Sequence, residues 1–328
     1  MTLEEFLALW HNDSPLMEVH TSGSTGKPKT IWVEKNRMRA SARMTCNFLS
    51  LRSGDTALLC LPLDYIAGKM MVVRAQERRL RLFSVPPSSH PLSPESLRSA
   101  GSPQHIDLAA MVPLQAWNTL QCPAERQALC SIRHLIVGGG AISAPLEREL
   151  RTLPVHVWSS YGMTETLSHI ALRPIGEEAY TPLPGILLSQ DVEGCLVVNA
   201  PELCPQPLVT NDIVHFVGEN RFVVLGRRDN VICSGGIKVQ IEEVEAWLQG
   251  LGIDWVTVTS RPDDRLGQAV VWLTTRDIVP SQLPLPTHRT ESRYWLPRHI
   301  VRVESLPLTP NGKPDRQSAR QLALAYRF

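Results

Sequence analysis

The chain has 328 residues, 43% of them hydrophobic, and its 33 Lys and Arg against 32 Asp and Glu leave a net charge of +1. This length suggests two domains with sizeable cores, and the balanced charge argues against nucleic acid as a partner. The sequence shows no basic leader or long apolar run, and its seven scattered cysteines lack CxxC spacing, so we expect a cytoplasmic protein without membrane insertion, zinc site or disulfide framework.

Helical and strand patterns alternate along the first two thirds of the chain. Strands separated by helices predict a mainly parallel α/β sheet, with ligands at the carboxyl ends of its strands. The Pro/Ser-rich segment 86–96 is predicted to be a surface loop. After residue 228, short strands and one helix predict a smaller C-terminal α+β domain. Helices are predicted within 36–51, 67–79, 143–153 and 241–250, and strands within 56–63, 80–85, 134–140 and 155–166.

A polar segment near the N-terminus, TSGSTGKPK at 21–29, follows the apolar Val19. Its glycines let backbone N–H groups converge, its hydroxyls add donors and its lysines add charge, so the segment is suited to bind phosphate. It is not a Walker A loop, because two residues rather than four separate Gly23 from Gly26. We predict a strand before it and a helix after it. A mobile polar loop without a ligand is the simpler explanation of this composition alone.

Five further segments follow this one along the chain, and together the six resemble, in the same order, the motifs of one protein family. The chain is similar to the acyl-adenylate-forming ligases, the AMP-binding superfamily of acyl-CoA synthetases, peptide-synthetase adenylation domains and firefly luciferase. The resemblance implies a core domain over 1–228 that binds ATP and the acyl group, and a mobile domain over 229–328 that carries a catalytic lysine. The matching segments are TSGSTGKPK (21–29), VGGGAIS (137–143), YGMTET (161–166), TNDIV (210–214, where the family usually has Thr-Gly-Asp), GRRDNVICSGGIKVQIEEVE (226–245) and LPLTPNGKPDR (306–316).

The same resemblance implies an enzyme that uses ATP, Mg²⁺ and, as co-substrate, coenzyme A. A carboxylate would attack the α-phosphate to form an acyl-AMP, and a thiol would then accept the acyl group. Because both reactants are anions, donors and cations that offset their charge are the main requirement. The implied site residues are, for catalysis, Lys313, Thr164 and Glu165, with Glu165 as the Mg²⁺ ligand; for the nucleotide, Thr21, Ser22, Gly23, Ser24, Thr25, Gly26, Lys27, Lys29, Gly139, Gly140, Tyr161, Gly162, Asp212 and Arg227; for the hinge, Asp229; and for the thiol tunnel, Gly235 and Gly236.

Each of these residues also has an ordinary structural explanation. Taken alone, Tyr161 would be a half-buried core aromatic, Asp212 a turn residue and Lys313 a solvated lysine beside Pro and Gly. Only their joint occurrence favours the site.

The segment 61–75, LPLDYIAGKMMVVRA, stands where the family lines its acyl pocket. Together with YGMTET it most resembles the o-succinylbenzoate–CoA ligases of menaquinone biosynthesis, which usually have a histidine at the place of Tyr65. A substrate with a second carboxylate needs a cation as partner. The alternative for the two cations of this segment is an exposed helix face. The predicted substrate residues are Tyr65, Lys69, Arg74 and Gly138.

Three hypotheses stay open. The first is a CoA ligase for o-succinylbenzoate, and the second is an adenylating enzyme for another fatty, aryl or amino acid that delivers it to CoA or a carrier protein. The third is an inactive nucleotide-binding relic, because only about twenty residues precede the phosphate-loop motif, far fewer than the family usually has. We expect a compact active enzyme with small-molecule partners, and a homodimer is one option for its assembly.

Overall fold

The computed structural model describes residues 1–20, 30–286, 292–309 and 314–326. The chain forms two compact units. The first comprises Met1–Ser189, Val197–Val209 and Phe216–Val223, and the second comprises Gln190–Leu196, Thr210–His215 and Val224–Phe328.

The first unit is built on a large sheet. In the described part of the chain its strand order is β4-β3-β5-β6-β7-β8-β9, with β3 to β7 parallel and β8 and β9 antiparallel. The strands are β3 (Thr56–Leu59), β4 (Arg81–Ser84), β5 (Ile106–Met111), β6 (Ile132–Val137), β7 (His156–Gly162), β8 (His169–Pro174) and β9 (Thr181–Pro182). A separate hairpin pairs β1 (Leu16–His20) with β2 (Thr30–Glu34).

Helices cover this sheet, and a continuous apolar core lies beneath them. Strand β3 is buried along its whole length, and Leu58, Ala109, Leu135 and Val157 of four neighbouring strands belong to one core cluster. The helices of the first unit are α1 (Leu3–His11), α2 (Lys35–Phe48), α3 (Ile66–Arg78), α4 (Pro94–Ser99), α5 (Pro113–Gln121), α6 (Pro123–Leu129) and α7 (Ala144–Leu150).

A further four-stranded sheet has the order β10-β11-β12-β13, formed by β10 (Leu187–Gln190), β11 (Cys195–Asn199), β12 (Leu208–Val217) and β13 (Arg221–Arg227).

The second unit contains a small α+β fold around the buried Trp272. Its sheet has the order β15-β14-β17-β16, and β18 pairs with β17. A bidentate ion pair from Arg316 to Glu245, at 2.6 and 2.7 Å, ties the last helix to α8. The elements are β14 (Val231–Ser234), β15 (Ile237–Gln240), α8 (Ile241–Gly250), β16 (Val256–Asp263), β17 (Gly267–Thr274), β18 (His299–Arg302) and α9 (Arg316–Ala325).

One local prediction was wrong and another held only in part. Strand β2, not a helix, begins directly after the 21–29 segment, because residues 30–34 pair with β1 in register. Segment 86–96 is not simply a surface loop, since Leu92 is fully buried and α4 begins at Pro94 with a hydrogen bond from the Ser96 amide to the Ser93 hydroxyl. Proline and serine at these places form a helix start rather than a loop.

Candidate active site

The carboxyl ends of the parallel strands bring most of the predicted residues of the first unit to one edge. Gly138–140 follow β6, the YGMTET segment ends β7, and Tyr65 precedes α3 in the connection after β3. His20, the last residue of β1, pairs with Tyr65. Because parallel strands end on the same side of a sheet, these connections share the edge at which α/β proteins bind ligands.

The predicted phosphate loop, Thr21 to Lys29, lies outside the described residues, and so does Lys313. The residues on either side of each segment are held by backbone pairing. His20 and Thr30, on either side of the first segment, are paired across β1 and β2. Leu308 pairs with Pro314, and the Asp315 amide donates to the Pro307 carbonyl at 2.9 Å. Backbone pairing therefore brings together the residues that flank each segment, His20 with Thr30 and Leu308 with Pro314.

Thr164 and Glu165 lie in a tight turn after β7, a 3₁₀ turn over Thr164–Thr166. The Met163 amide donates to Thr166 Oγ1 at 3.1 Å, and that hydroxyl donates in turn to the Ser168 carbonyl at 2.8 Å. Leu167 has φ of +67°, a strained value for a residue with a side chain. Thr164 is buried and Glu165 is exposed. The turn is therefore rigidly bonded, with its carboxylate facing solvent.

Tyr161 packs into an aromatic cluster of the first unit. Its ring meets Phe222 edge-on at 5.2 Å between centroids and lies 5.9 Å from Tyr180. The Tyr180 hydroxyl is 2.8 Å from Ser159 Oγ. The core-aromatic explanation therefore holds for part of this ring, and its stacking on adenine stays a prediction.

Glycines at this edge are required by close contacts. A Cβ on Gly138 would lie 2.0 Å from Ser160 Oγ, and one on Gly162 would lie 2.3 Å from the Ser168 carbonyl oxygen. Gly139 has φ of +79°. The backbone of β6 and β7 can therefore turn out of the sheet only where side chains are missing.

The two predicted substrate cations are buried, so the alternative that they form an exposed helix face is wrong. Lys69 is 1% exposed and Arg74 2% exposed, both on α3. Burial lowers the pKa of Arg74 to about 10, so the guanidinium stays charged at neutral pH. Among the described residues it has no carboxylate partner: Nη2 donates to Ser168 Oγ at 2.6 Å, Nη1 lies 3.8 Å from the Met71 sulfur, and Nε has no acceptor.

Sequence reasoning missed His169 and Ser168, which lie next to Arg74. His169 is buried, its Nε2 lies 2.9 Å from Thr45 Oγ1 and its Nδ1 lies 3.4 Å from Ser168 Oγ. Burial, and then the charge of Arg74, holds the pKa of His169 well below its ordinary value, so the ring is neutral. The position of this histidine, three residues after the end of the YGMTET motif, was the only signal available.

The second unit brings Asp212, Arg227 and Asp229 together. Arg227 donates to Asp212 at 3.1 Å through Nη1 and bonds both carboxylate oxygens of Asp229, at 2.9 and 2.8 Å. Burial alone would raise the pKa of Asp229, but the hydrogen bonds and charge of Arg227 outweigh it and lower that pKa. Asn211, the departure from the family pattern, accepts from the neighbouring Arg228 at 2.7 Å.

Gly235 and Gly236 form the turn of the β14–β15 hairpin. Both have positive φ, +60° and +84°, and Ser234 pairs with Ile237 across them. A two-residue turn of this kind needs residues that adopt φ above zero. A Cβ on Gly235 would lie 3.2 Å from Leu266 Cδ2, whereas one on Gly236 would have no atom within 4 Å, so bare backbone is open to the surroundings at Gly236.

Glu165 fits a Mg²⁺ site of the type that phosphates complete. Among the described residues no three His, Cys, Asp or Glu side chains cluster as a protein-only metal site. Mg²⁺ usually takes one or two carboxylates together with substrate phosphates and waters. An exposed carboxylate at the ligand edge of the sheet meets that requirement.

A family model described as AMP-binding enzyme matches residues 5–213, which is more than half of the chain. The chain belongs to the AMP-binding enzyme family. This confirms the resemblance and its core fold.

Two curated relatives are acid–CoA ligases, which confirms the predicted enzyme class. Indoleacetate–CoA ligase of Aromatoleum aromaticum is 27% identical over 96% of this chain and 68% of that protein. 2-Succinylbenzoate–CoA ligase of Bacillus cereus is 26% identical over 93% of this chain and 69% of that protein.

Solved structures support the same family. The AMP-forming acyl-CoA synthetase/AMP-acid ligase II-like protein of Dyadobacter fermentans is 34% identical, with a TM-score of 0.62 over 96% of this chain and 91% of that chain. O-succinylbenzoate coenzyme A synthetase of Bacillus subtilis, in complex with ATP and magnesium, is 22% identical, with a TM-score of 0.74 over 92% of this chain and 68% of that chain. The second likeness concerns the fold: a larger core domain and a small C-terminal α+β domain, as predicted.

In the described part of this AMP-binding enzyme, no helix combines the length and apolar character needed to cross a bilayer.

Proposed function

We propose that this AMP-binding enzyme is an ATP-dependent acid–CoA ligase whose substrate is an aromatic dicarboxylic acid, with o-succinylbenzoate of menaquinone biosynthesis as the first candidate. One observation carries the choice of a dicarboxylic acid. Arg74 is a buried cation without a carboxylate partner among the described residues, and its Nε–H has no acceptor there. An unpaired buried charge costs several kcal/mol, about what a substrate carboxylate would offset.

The residues take the following roles in this proposal. Lys313 and Thr164 offset the charge that builds on the α-phosphate as the substrate carboxylate attacks phosphorus and pyrophosphate leaves. Glu165 holds Mg²⁺, which neutralises phosphate charge when it is bound. The loop from Thr21 to Lys29, with Gly139, Gly140, Tyr161 and Gly162, binds the phosphates and adenine, and Asp212 and Arg227 bind the ribose.

A second half-reaction completes the proposal. The sulfur of CoA attacks the acyl carbonyl of the acyl-AMP, a thioester forms and AMP leaves. A rotation at Asp229 moves the domain from residue 229 onward, so that the turn at Gly235 and Gly236 lines the thiol path in place of Lys313. A cytoplasmic location and a possible homodimer belong to the same proposal.

A specific finding favours one other substrate. One relative is an indoleacetate–CoA ligase, and indoleacetate is an aryl acid with a single carboxylate. Such a substrate would leave Arg74 and Lys69 without an anionic partner. The two acids therefore differ in the cation they require, and that difference can be measured.

Pyrophosphate release with a panel of acids, with and without CoA, tests the proposal. We expect release with o-succinylbenzoate, and AMP with thioester when CoA is present. Arg74→Ala should raise KM for o-succinylbenzoate about tenfold or more, from the loss of a charge-assisted hydrogen bond, and KM for ATP far less. Efficient turnover of indoleacetate that is insensitive to Arg74→Ala would favour the single-carboxylate substrate, and ATP binding without turnover of any acid would favour the relic.

A further inference from the structure

A chain of buried polar side chains contacts the Thr164–Thr166 turn, and Arg74 is its one member with a role in the proposed function. It consists of Thr45 on α2, Arg74 on α3, Ser168 just before β8 and His169 at the start of β8, all in the first unit. We call these four residues the relay. Arg74, Thr45 and His169 are each at most 7% exposed.

The donors of the relay all point the same way. Thr45 Oγ1 donates to the Ser41 carbonyl at 3.2 Å, so it must accept from His169 Nε2 at 2.9 Å. The neutral ring then carries its proton on Nε2, and its Nδ1 is an acceptor. Ser168 Oγ accepts from Arg74 at 2.6 Å and can give its own proton to His169 Nδ1 at 3.4 Å. The protonation of every member thus follows from its neighbours.

The relay ends on the turn. The carbonyl of Ser168 accepts from Thr166 Oγ1 at 2.8 Å, and Thr166 Oγ1 in turn accepts from the Met163 amide at 3.1 Å. Gly162 closes the other side, because no Cβ fits between it and Ser168. Displacing Ser168 would therefore displace Thr164 and Glu165, which lie between Met163 and Thr166.

A strained residue sits inside this arrangement. Leu167 has φ of +67°, while its amide donates to the Thr164 carbonyl at 2.9 Å. A non-glycine residue keeps such a conformation only where the surrounding contacts impose it. The relay supplies these contacts from two helices that themselves lie outside the turn.

We infer that Ser168, His169 and Thr45 are positioning residues that, together with Arg74, hold the Thr164–Glu165 turn in place for the nucleotide and its Mg²⁺. Ser168, His169 and Thr45 act on the reaction through Glu165, without contact to substrate, whereas Arg74 is the member that also faces the proposed substrate carboxylate. This inference deepens the proposed function, since the Mg²⁺ requirement rests on Glu165 being the metal ligand.

Ser168→Ala tests the inference, with Ser41→Ala as its matched control. Both changes remove one hydroxyl of the first unit, but the Ser41 hydroxyl is buried without a hydrogen-bond partner among the described residues. We expect Ser168→Ala to raise the Mg²⁺ concentration for half-maximal pyrophosphate release about tenfold. Ser41→Ala should leave it unchanged, and the two variants should unfold at similar temperatures.

Amide hydrogen exchange separates failure of the inference from failure of the proposed function, because it needs no activity. In Ser168→Ala, peptides that cover 162–169 should exchange faster than in wild type, while the same peptides in Ser41→Ala should not. Thr45→Val, which removes the acceptor of His169, should reproduce the effect. Equal exchange in wild type and Ser168→Ala would overturn the inference even in an active ligase. Faster exchange with an unchanged Mg²⁺ requirement would also overturn it.

Discussion

Arg227 donates two hydrogen bonds to the carboxylate of Asp229, from Nε to Oδ1 at 2.9 Å and from Nη2 to Oδ2 at 2.8 Å. Its remaining nitrogen, Nη1, donates to Asp212 at 3.1 Å. One guanidinium thus connects a proposed ribose ligand with the proposed hinge residue. A planar fork can hold both carboxylates at once, and an ammonium cannot.

Arg227→Lys should therefore raise KM for ATP about tenfold, because Asp212 loses its fixed orientation, with KM for the acid nearly unchanged. The measurement is steady-state pyrophosphate release. The matched control is Arg228→Lys, since the neighbouring Arg228 bonds Asn211 and Glu193 instead. An equal effect of the two substitutions would argue against a ribose role for the Asp212–Arg227 pair.

Lys313→Ala should abolish formation of the acyl-AMP and leave thioester formation from supplied acyl-AMP largely intact. The reason is that a lysine bridging the α-phosphate and the substrate carboxylate serves only the first half-reaction. Each half-reaction is measured separately, with Arg320→Ala, an exposed cation on α9, as control. Equal loss of both half-reactions would contradict the exchange of Lys313 for the glycine turn.

Gly138→Ala should destabilise the protein by about 1–3 kcal/mol, because its Cβ would overlap a neighbouring side chain. The nearest atom is Ser160 Oγ at 2.0 Å, whereas Ser160 Cβ is 3.4 Å away. Ser160→Ala in the same chain should therefore restore most of the loss. A double-mutant cycle by denaturant unfolding measures this, and additive effects of the two changes would show that the contact is not the cause.

Gly236→Ala should slow thioester formation while leaving pyrophosphate release close to wild type. The added methyl meets no atom of the described chain but narrows the bare turn proposed for the thiol path. Gly252→Ala is the control, because Gly252 has a similar φ, +80°, and equally open surroundings. Both substitutions should cost about 1–3 kcal/mol of stability through backbone strain. A thioester defect in both variants would assign the effect to stability instead.

Stability should fall with acidity because of His134. Burial, then the charges of Arg133 and His156, lowers the pKa of His134 to about 4, from an ordinary value of 6.5. Between pH 6.5 and pH 4 the unfolded chain binds a proton at His134 and the folded protein does not. The free energy of unfolding is therefore unaffected by this group above pH 6.5 and declines as the pH falls from 6.5 towards 4. Asp107 opposes the shift, and the Trp158 indole N–H donates to His134 Nδ1 at 3.3 Å.

His134→Asn keeps an acceptor for Trp158 but does not titrate in this range. Its melting temperature should therefore drop less between pH 7 and pH 5 than that of wild type. Thermal unfolding across this range is the measurement, and parallel curves for the two proteins would exclude His134 as a source of the acid sensitivity.

The sequence predicted the elements whose patterns are local. Strand β3, with four consecutive buried residues, and helix α8 were both recognisable from their spacing. Strand β2 was missed because its pairing with β1 spans the 21–29 segment, and the burial of Leu92 was hidden among prolines and serines. Short segments that depend on distant partners carry weak local signals.

The candidate site likewise has features that the sequence predicted and features that it did not. The glycine segment after β6 and the YGMTET motif, both singled out from the sequence, lie at the carboxyl ends of parallel strands, and their binding of the nucleotide stays a prediction. The burial of Lys69 and Arg74 could not be predicted, since basic residues at helical spacing are usually exposed. His169 acquires its neutral state only from the packing of α2 and α3 against β8.

The single direction of hydrogen bonding through Thr45, His169 and Ser168 has an evolutionary consequence. Because each proton is committed to one neighbour, replacing one member leaves the next with an unsatisfied donor or acceptor, and Thr45 and His169 are buried. Substitutions there should accordingly be inherited as a set. Homologous ligases with an apolar residue in place of the histidine are expected to have lost the threonine hydroxyl as well, and a family alignment in which the two positions vary independently would refute this.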